Sequence, residues 1–302
     1  MGICESNKNM NKPGKTTEKV EQIKINKSLK INEINETTRT TQLIGIVQEC
    51  KIINSPFEEF NSNVAKSICK IKIITQKETK LEKKYGSGFL LKWEIAQEMF
   101  YCFMTNEHVI SKDIINNNNS TVYIFYDKEL KIINIKWNEK ERYIKRFNDI
   151  GLDITVIEIL DNDNVSKDYF LFPKRVNEYY RLINSQVYVP QYPKDKGLKN
   201  ARGKIKEINK YKFTHLASTG EGSSGSPIFL ENSDEVIGIH KQGNLDKSEN
   251  YGDFIYPAIN IIEKDIIERR RNKGKYDKGK YIWEDGKYYK VNLKIIYRKE
   301  KE

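Results

Sequence analysis

The stretch GEGSSGSPIFL, residues Gly220–Leu230, sets three glycines and three serines ahead of one proline and an apolar run. Glycine lets a backbone take turns closed to other residues and lets another group approach it closely. Pro227 ends the loop and Ile228-Phe229 begin a strand. A nucleophilic serine needs an exposed turn of this kind, with backbone N–H groups aimed at a developing oxyanion. Ser224 is the middle serine, flanked by Gly222 at −2 and Gly225 at +1. The N–H groups of Gly222 and Ser224 are the oxyanion donors such a loop would offer. On these six residues alone, a plain Ser/Gly turn before a strand reads equally well.

A serine nucleophile needs an imidazole base and a carboxylate to orient it. The chain has three histidines. His215 lies in the strand-like KFTHLAS, close in sequence to Ser224, and reads as structural. His240 lies in VIGIHK. His108 follows the apolar strand-like start of FMTNEHVI, before a turn or short helix, where a lone histidine is more often merely structural; it remains a candidate base. For the carboxylate, Asp153 opens the alternating run DITVIEIL and can lean over a barrel end; no strand pattern fixes Asp149 or Asp113. The order His108, Asp153, Ser224 is one of the known orders of a Ser-His-Asp triad.

The same patterning extends along the chain. Short β-type runs divided by turn residues begin with QLIGIVQECKII (42–53) and continue through SICKIKIIT, GSGFLLKW, FYCFMT, TVYIFYD, KIINIKW and DITVIEIL. After a polar stretch near 161–168 come SQVYVP, GKIKEI, KFTHLAS, SPIFL, EVIGIHK and DFIYPA. Many short strands with few helical stretches predict an all-β protein of barrels or sandwiches. One segment departs: Ile259, Ile262 and Ile266 recur at helical spacing, with Arg269–Arg271 in the last turn and Gly274 as the stop. The three arginines read as a solvated helix end that suits the helix dipole. Asp285-Gly286 between aromatic runs predicts a β-hairpin.

Composition bounds the reading. A chain of 302 residues with 38% hydrophobic content can bury a sizeable core. The net charge of +11 travels with Lys-, Asn- and Ile-rich runs such as INNNNS and KIINIK, a bias that A/T-rich codons produce. No nucleic-acid motif accompanies it, so no specific nucleic-acid partner is expected, although the Lys/Arg-rich carboxyl end alone would suit one. Four cysteines, none at CxxC spacing, and three histidines predict no metal cluster; no cofactor is expected. The polar, lysine-rich start carries no secretory pattern and no apolar run would span a bilayer. A cytoplasmic setting with free thiols is therefore the expectation. Residues 1–40, poor in aromatics, read as a disordered basic tail.

At this point a resemblance becomes specific. YPKDKGLKNARGKI through STGEGSSGSPIFLENSDEVIGIHKQG, together with TNEHVI, GSGFL and LDITVIEI, resembles the chymotrypsin-fold serine proteases, and most the bacterial glutamyl endopeptidase branch, over residues 41–265. The resemblance implies two six-stranded antiparallel β-barrels (trypsin-like), here with a C-terminal helix and a short β-hairpin tail. The domains expected are the tail 1–40, an N-terminal barrel 41–165 carrying His108 and Asp153, a C-terminal barrel with helix 166–273 carrying Ser224, and a hairpin 274–302. It implies a serine endopeptidase acting on peptides or proteins. In the glutamyl branch a histidine after the serine and a threonine before it hold an acidic side chain; the matching positions are His240 and Thr219. That branch also uses a freed amino terminus; with some forty residues ahead of the barrel here, that contact needs cleavage or a substitute such as Lys241. There is no cysteine after His108, so the disulfide of digestive relatives is missing. The piece Gly279, Tyr281, Trp283, Asp285 and Gly286 resembles one degenerate MORN repeat, read as a packed hairpin because repeat arrays need several units.

The amino terminus, MGICES, fits an N-myristoylation signal at Gly2. One myristoyl chain binds membranes only marginally, and Cys4 offers a palmitoylation site as a second anchor. Tethering to a cytoplasmic membrane face follows as the expectation. The rival reading is a catalytically silent protease-fold scaffold, or a lipid-associated binding protein.

Overall fold

The computed structural model describes residues 57–59, 62–78, 80–135, 137, 139–194, 196–244, 248–272, 281–284 and 287–290. The tail, the run 42–53, Cys50, Gly274, and the lipidation candidates Gly2 and Cys4 lie outside them.

The strands are β1 (Glu58–Glu59), β2 (Ile68–Lys77), β3 (Lys80–Ile95), β4 (Glu98–Thr105), β5 (Ser120–Tyr126), β6 (Lys131–Ile133), β7 (Ile144–Arg146), β8 (Thr155–Glu158), β9 (Phe172–Pro173), β10 (Gln186–Gln191), β11 (Lys199–Asn209), β12 (Lys212–His215), β13 (Pro227–Leu230), β14 (Glu235–Asn244), β15 (Glu249–Phe254), β16 (Tyr281–Glu284) and β17 (Lys287–Lys290). A short helix, α1 (Lys112–Asn116), follows β4, and α2 (Tyr256–Asn272) follows β15. All pairings within the two large sheets are antiparallel except β9 with β14.

The first sheet runs β6-β5-β2-β3-β4-β8-β7. Alternation drives it: Ile71 and Ile73 of β2 are buried while Lys70 and Lys72 between them are half-exposed. The second sheet closes on itself as a six-stranded barrel, β11-β10-β13-β14-β15-β12, because β12 pairs back onto β11. Strand β1 precedes the first sheet in sequence yet pairs with β11 of the second. The chain forms the expected all-β class with a C-terminal helix, consistent with a trypsin-like double barrel, but among the described residues only the second sheet closes as a six-stranded barrel, while the first has seven strands and no closing pair. The last two strands pair as the expected hairpin, Tyr281↔Lys290 to Glu284↔Lys287. Gly279, Asp285 and Gly286, which carry the MORN resemblance, lie outside the described residues.

One buried cluster joins the two sheets. It takes Phe89, Leu91 and Trp93 from β3, Tyr188 and Phe229 from the barrel, and Ile259, Ile262 and Ile266 from α2. The isoleucine spacing thus marks the buried stripe of α2. The arginines differ from their sequence reading. Arg270 donates to Ile95 O at 2.7 Å, and Arg269 donates to the carbonyls of Glu139 and Lys140. The helix ends against the first sheet, so guanidinium groups that would otherwise be solvated find backbone acceptors at loop and strand ends. Earlier in α2, Asp265 accepts from Tyr143 and Lys145, both at 2.7 Å. Cys69 and Cys102 are free and buried, and burial pushes both thiols up, away from the reactive thiolate.

Candidate active site

The loop of residues 220–226 hangs between β3 and β14. On one side Ser87 N–H donates to Ser224 O at 2.8 Å, and the Ser87 hydroxyl donates to Gly222 O at 2.8 Å. On the other side Gly225 N–H donates to His240 O, and His240 N–H to Ser226 O. These bonds explain the glycines. Gly222 and Gly225 have φ of +90° and +91°, where a side chain is strained. A Cβ on Gly225 would lie 2.0 Å from Ser87 O, and one on Gly222 would lie 2.8 Å from Tyr192 O.

His108 sits in the turn after β4, where Val109 and Ile110 N–H groups close onto Asn106 O. Its Nδ1 is 2.6 Å from Asp153 Oδ2, and its backbone N–H donates to Asp153 Oδ1 at 3.1 Å. Both carboxylate oxygens therefore hold one residue. Asp153 lies two residues before β8, between the buried Leu152 and Ile154, so alternation turns its side chain away from the core. Its backbone is fixed from both sheets. Asp153 N–H donates to Asp253 Oδ2 of β15 at 2.8 Å, and Asn106 Nδ2 donates to Asp153 O at 2.6 Å.

Charge around this pair is shared. Burial opposes ionisation of Asp153, but the His108 hydrogen bond, the charges of His108 and Lys241 and the His108 backbone N–H outweigh it, so the carboxyl is held below its usual range. Burial pushes Asp253 up, against the Asp153 N–H and Lys241. The Lys241 ammonium lies 3.9 Å from Asp153 Oδ2.

Ser224 and His108 are not hydrogen-bonded to each other. Ser224 Oγ donates instead to Lys241 O at 2.8 Å. His108 Nε2 is buried and without a partner among the described residues. The Ser224 N–H likewise has no acceptor among them.

Thr219, between β12 and β13, and His240, on β14, are both buried. Thr219 Oγ1 donates to Asn250 Oδ1 at 2.7 Å, and Asn250 Nδ2 donates to Ala217 O at 2.7 Å. His240 Nδ1 faces His215 Nε2 at 3.3 Å, and the His240 ring also hydrogen-bonds the Tyr251 backbone. Burial pushes His215 down to about 3; burial, then the neighbouring histidine charges, push His240 well below the usual range. Both rings are neutral at physiological pH.

Sequence reasoning passed over Ser87, Asn106, Asp253 and the His215 partnership. Ser87 and Asn106 carried a signal, lying in the quoted GSGFL and TNEHVI runs; Asp253 and the histidine pairing are joined to the site by contacts between distant strands.

No curated protein is similar enough to this chain to count as a match. Among solved structures, the chain is similar to a serine endoprotease from Yersinia pestis, at 15% identity and TM-score 0.47, over 68% of this chain and 67% of that one. A protease from M. tuberculosis in its active form is similar at 16% identity and TM-score 0.46, over 67% and 88%. Glu endopeptidase in complex with MPD aligns over 71% of this chain and all of its own, at 16% identity and TM-score 0.50, a likeness of fold. The trypsin-like peptidase domain matches residues 86–239, from the glycine before Ser87 to Ile239 of β14, the residue before His240. With that match spanning just over half of its length, the chain belongs to the trypsin-like peptidase domain family, a fold that implies peptides or proteins as substrates.

Proposed function

We propose that this protein is a serine endopeptidase. Ser224 Oγ attacks the peptide carbonyl, His108 Nε2 takes the proton and returns it to the leaving amine, and Asp153 holds the imidazole in place. The N–H groups of Gly222 and Ser224 receive the oxyanion. The observation that carries this reading is the arrangement at His108. A carboxylate holds Nδ1 at 2.6 Å while Nε2 is left without a partner, as a base awaiting a donor would be. Catalysis then requires the Ser224 hydroxyl to leave Lys241 O. The exchange costs about one hydrogen bond, ~1 kcal/mol, small beside what an oxyanion hole returns.

The bond from Ser224 Oγ to Lys241 O also favours the second reading, a catalytically silent scaffold. A serine-directed fluorophosphonate separates the two. Labelling of the wild-type protein that disappears in Ser224→Ala, with peptide cleavage lost by roughly 10⁴–10⁶ in kcat, supports the endopeptidase. An unlabelled wild-type protein that cleaves no peptide sinks it.

A preference for cleavage after acidic residues, Glu in particular, rests on Thr219 and His240 standing at the matched positions. Both side chains are already paired, so an acidic side chain would exchange into those bonds and be held by donors instead of by a cation. A peptide library tests this together with activity. Equal turnover after Glu and after its neutral isostere would end the acidic reading. In the same picture residues 1–40 form a tether acylated at Gly2 and Cys4, 41–165 and 166–273 form the two barrels, and 274–302 adds a MORN-like hairpin. Mass spectrometry of the amino-terminal peptide tests the acylation; an unmodified peptide from cells removes it.

A further inference from the structure

One edge of β3 changes occupant along its length. From Phe89 to Ile95 it is covered by β4. At Ser87 it is covered by the nucleophile loop, through the bond from Ser87 N–H to Ser224 O. Beyond that, from Tyr85 to Lys80, β3 has a strand partner only on its other side, β2, among the described residues.

The direction of the backbone groups follows from two independent bonds. In antiparallel strands the backbone groups of successive residues point alternately to the two edges. Ser87 points its N–H away from β2, so Tyr85, Lys83 and Leu81 point the same way. Consistently, Gln76 of β2 donates to Asn119 O on the β5 side, which leaves Lys77, Thr75 and Ile73 to bond Lys80, Glu82 and Lys84. The N–H and C=O groups of Leu81 and Lys83 therefore face outward. No described residue takes them. An unpaired edge of this kind is a template for an added strand.

Its side chains are basic. Lys80, Lys83 and Lys84 are exposed, and Lys83 and Lys84 form no direct ion pair among the described residues. Lys72 lies beside Tyr85 on the face that Lys83 shares. The acid within the strand, Glu82, is occupied by Lys77 at 3.0 Å.

We propose that this edge binds an acidic, extended segment of the polypeptide substrate as an added strand, on one side of the bond to be cleaved. The inference rests on Ser224 being the nucleophile. At ~3.3 Å per residue, Lys83 lies ~13 Å along β3 from Ser87 and Leu81 ~20 Å. The acidic residues therefore fall roughly four to six positions from the scissile bond. Main-chain bonds to Leu81 and Lys83 supply the docking, and Lys83 and Lys84 select carboxylates on the two faces of the added strand.

Binding can be read without catalysis, in Ser224→Ala protein, by fluorescence anisotropy of labelled peptides. The probes are matched ten-residue peptides with three glutamates at one end, at the other end, or replaced by glutamines. One acidic arrangement should bind about tenfold tighter than the neutral peptide at low salt, and that gain should vanish in 0.5 M NaCl and in the Lys83→Gln/Lys84→Gln variant. A proline in the acidic segment, at a position whose N–H must meet β3, should abolish the gain in the unmodified edge. Equal binding of all three peptides overturns the proposal. So does a gain that survives the double substitution, or one indifferent to proline. A single-stranded oligonucleotide bound as tightly, and lost in the same variant, would assign the edge to polyanions at large and overturn it also. If the double variant merely aggregates with selectivity unchanged, the lysines only guard an exposed edge, and the proposal fails. Fluorophosphonate labelling in the wild type tests the nucleophile separately, so peptide binding without labelling leaves the edge and removes the enzyme.

Discussion

The buried histidine pair makes this fold sensitive to mild acid. His215 and His240 are both buried within the second barrel, and their ring nitrogens meet at 3.3 Å. Burial pushes His215 down to about 3 and His240 well below its usual range. An unfolded histidine titrates near 6.5. As pH falls through that value the unfolded chain takes up protons that the folded chain refuses, so stability is lost. For His215 the loss grows from ~0.2 kcal/mol at pH 7 to ~2 kcal/mol at pH 5, where its folded ring is still neutral. His215 alone therefore accounts for ~2 kcal/mol between those pH values, and His240, also pushed down by burial, acts in the same direction; that is a sizeable part of the 5–15 kcal/mol typical of a whole domain.

Other groups act in the same range or outside it. Burial pushes up the carboxyls of Glu107, Asp253 and Glu263, with the Asp153 charge adding to Glu107. They protonate in the folded state first, and so return some stability in acid. Asp153, held low, contributes above its unfolded value near 3.9 and loses that contribution only at lower pH. Urea unfolding at pH 7, 6 and 5 should be compared between wild type and His215→Gln. The variant is less stable at pH 7 but should lose ~2 kcal/mol less between pH 7 and 5. Identical pH dependence in the two proteins would refute the reasoning, because the proton uptake would then belong to other groups.

Three further outcomes follow from the same coordinates. Gly225→Ala sets a methyl group 2.0 Å from Ser87 O at φ +91°, so fluorophosphonate labelling of Ser224 should slow by at least ~100-fold, an energetic effect of about 2.7 kcal/mol; labelling at the wild-type rate refutes the tight loop. Ser87→Ala removes the donor to Gly222 O and the acceptor for Tyr192 N–H, and should cost ~1–3 kcal/mol in urea unfolding and slow labelling, whereas an unchanged midpoint and rate would show that the bridge is dispensable. Arg142→Met breaks the buried pair in which both guanidinium nitrogens meet Asp163, at 2.8 and 3.0 Å, and should lower stability by ~3–5 kcal/mol; replacing both Arg142 and Asp163 by apolar residues should recover most of that loss.

How much of this was written in the chain depends on the range of the interactions. The alternation of Ile71 and Ile73 with lysines, the isoleucine spacing in α2 and the aromatic runs of the last segment are local patterns, and each formed the expected element, the last as the paired strands β16 and β17. The glycines around Ser224 were legible for the same reason, since a positive φ is a property of one residue. Arg270 was misread because a helix end shows its charge but not the carbonyl that will lie beside it.

The sequence by itself determined the all-β class and the residue types available for nucleophile, base and carboxylate. Only the tertiary structure decided which groups meet: His108 with Asp153 across 45 residues, Asp153 with Asp253 across 100, and Ser87 with Gly222 across 135. It also decided that Ser224 bonds Lys241 O and that His240 pairs with His215. The physical reason is that periodicity fixes which way a side chain points along one strand, while hydrogen bonds between strands depend on how two sheets dock, which no local pattern encodes.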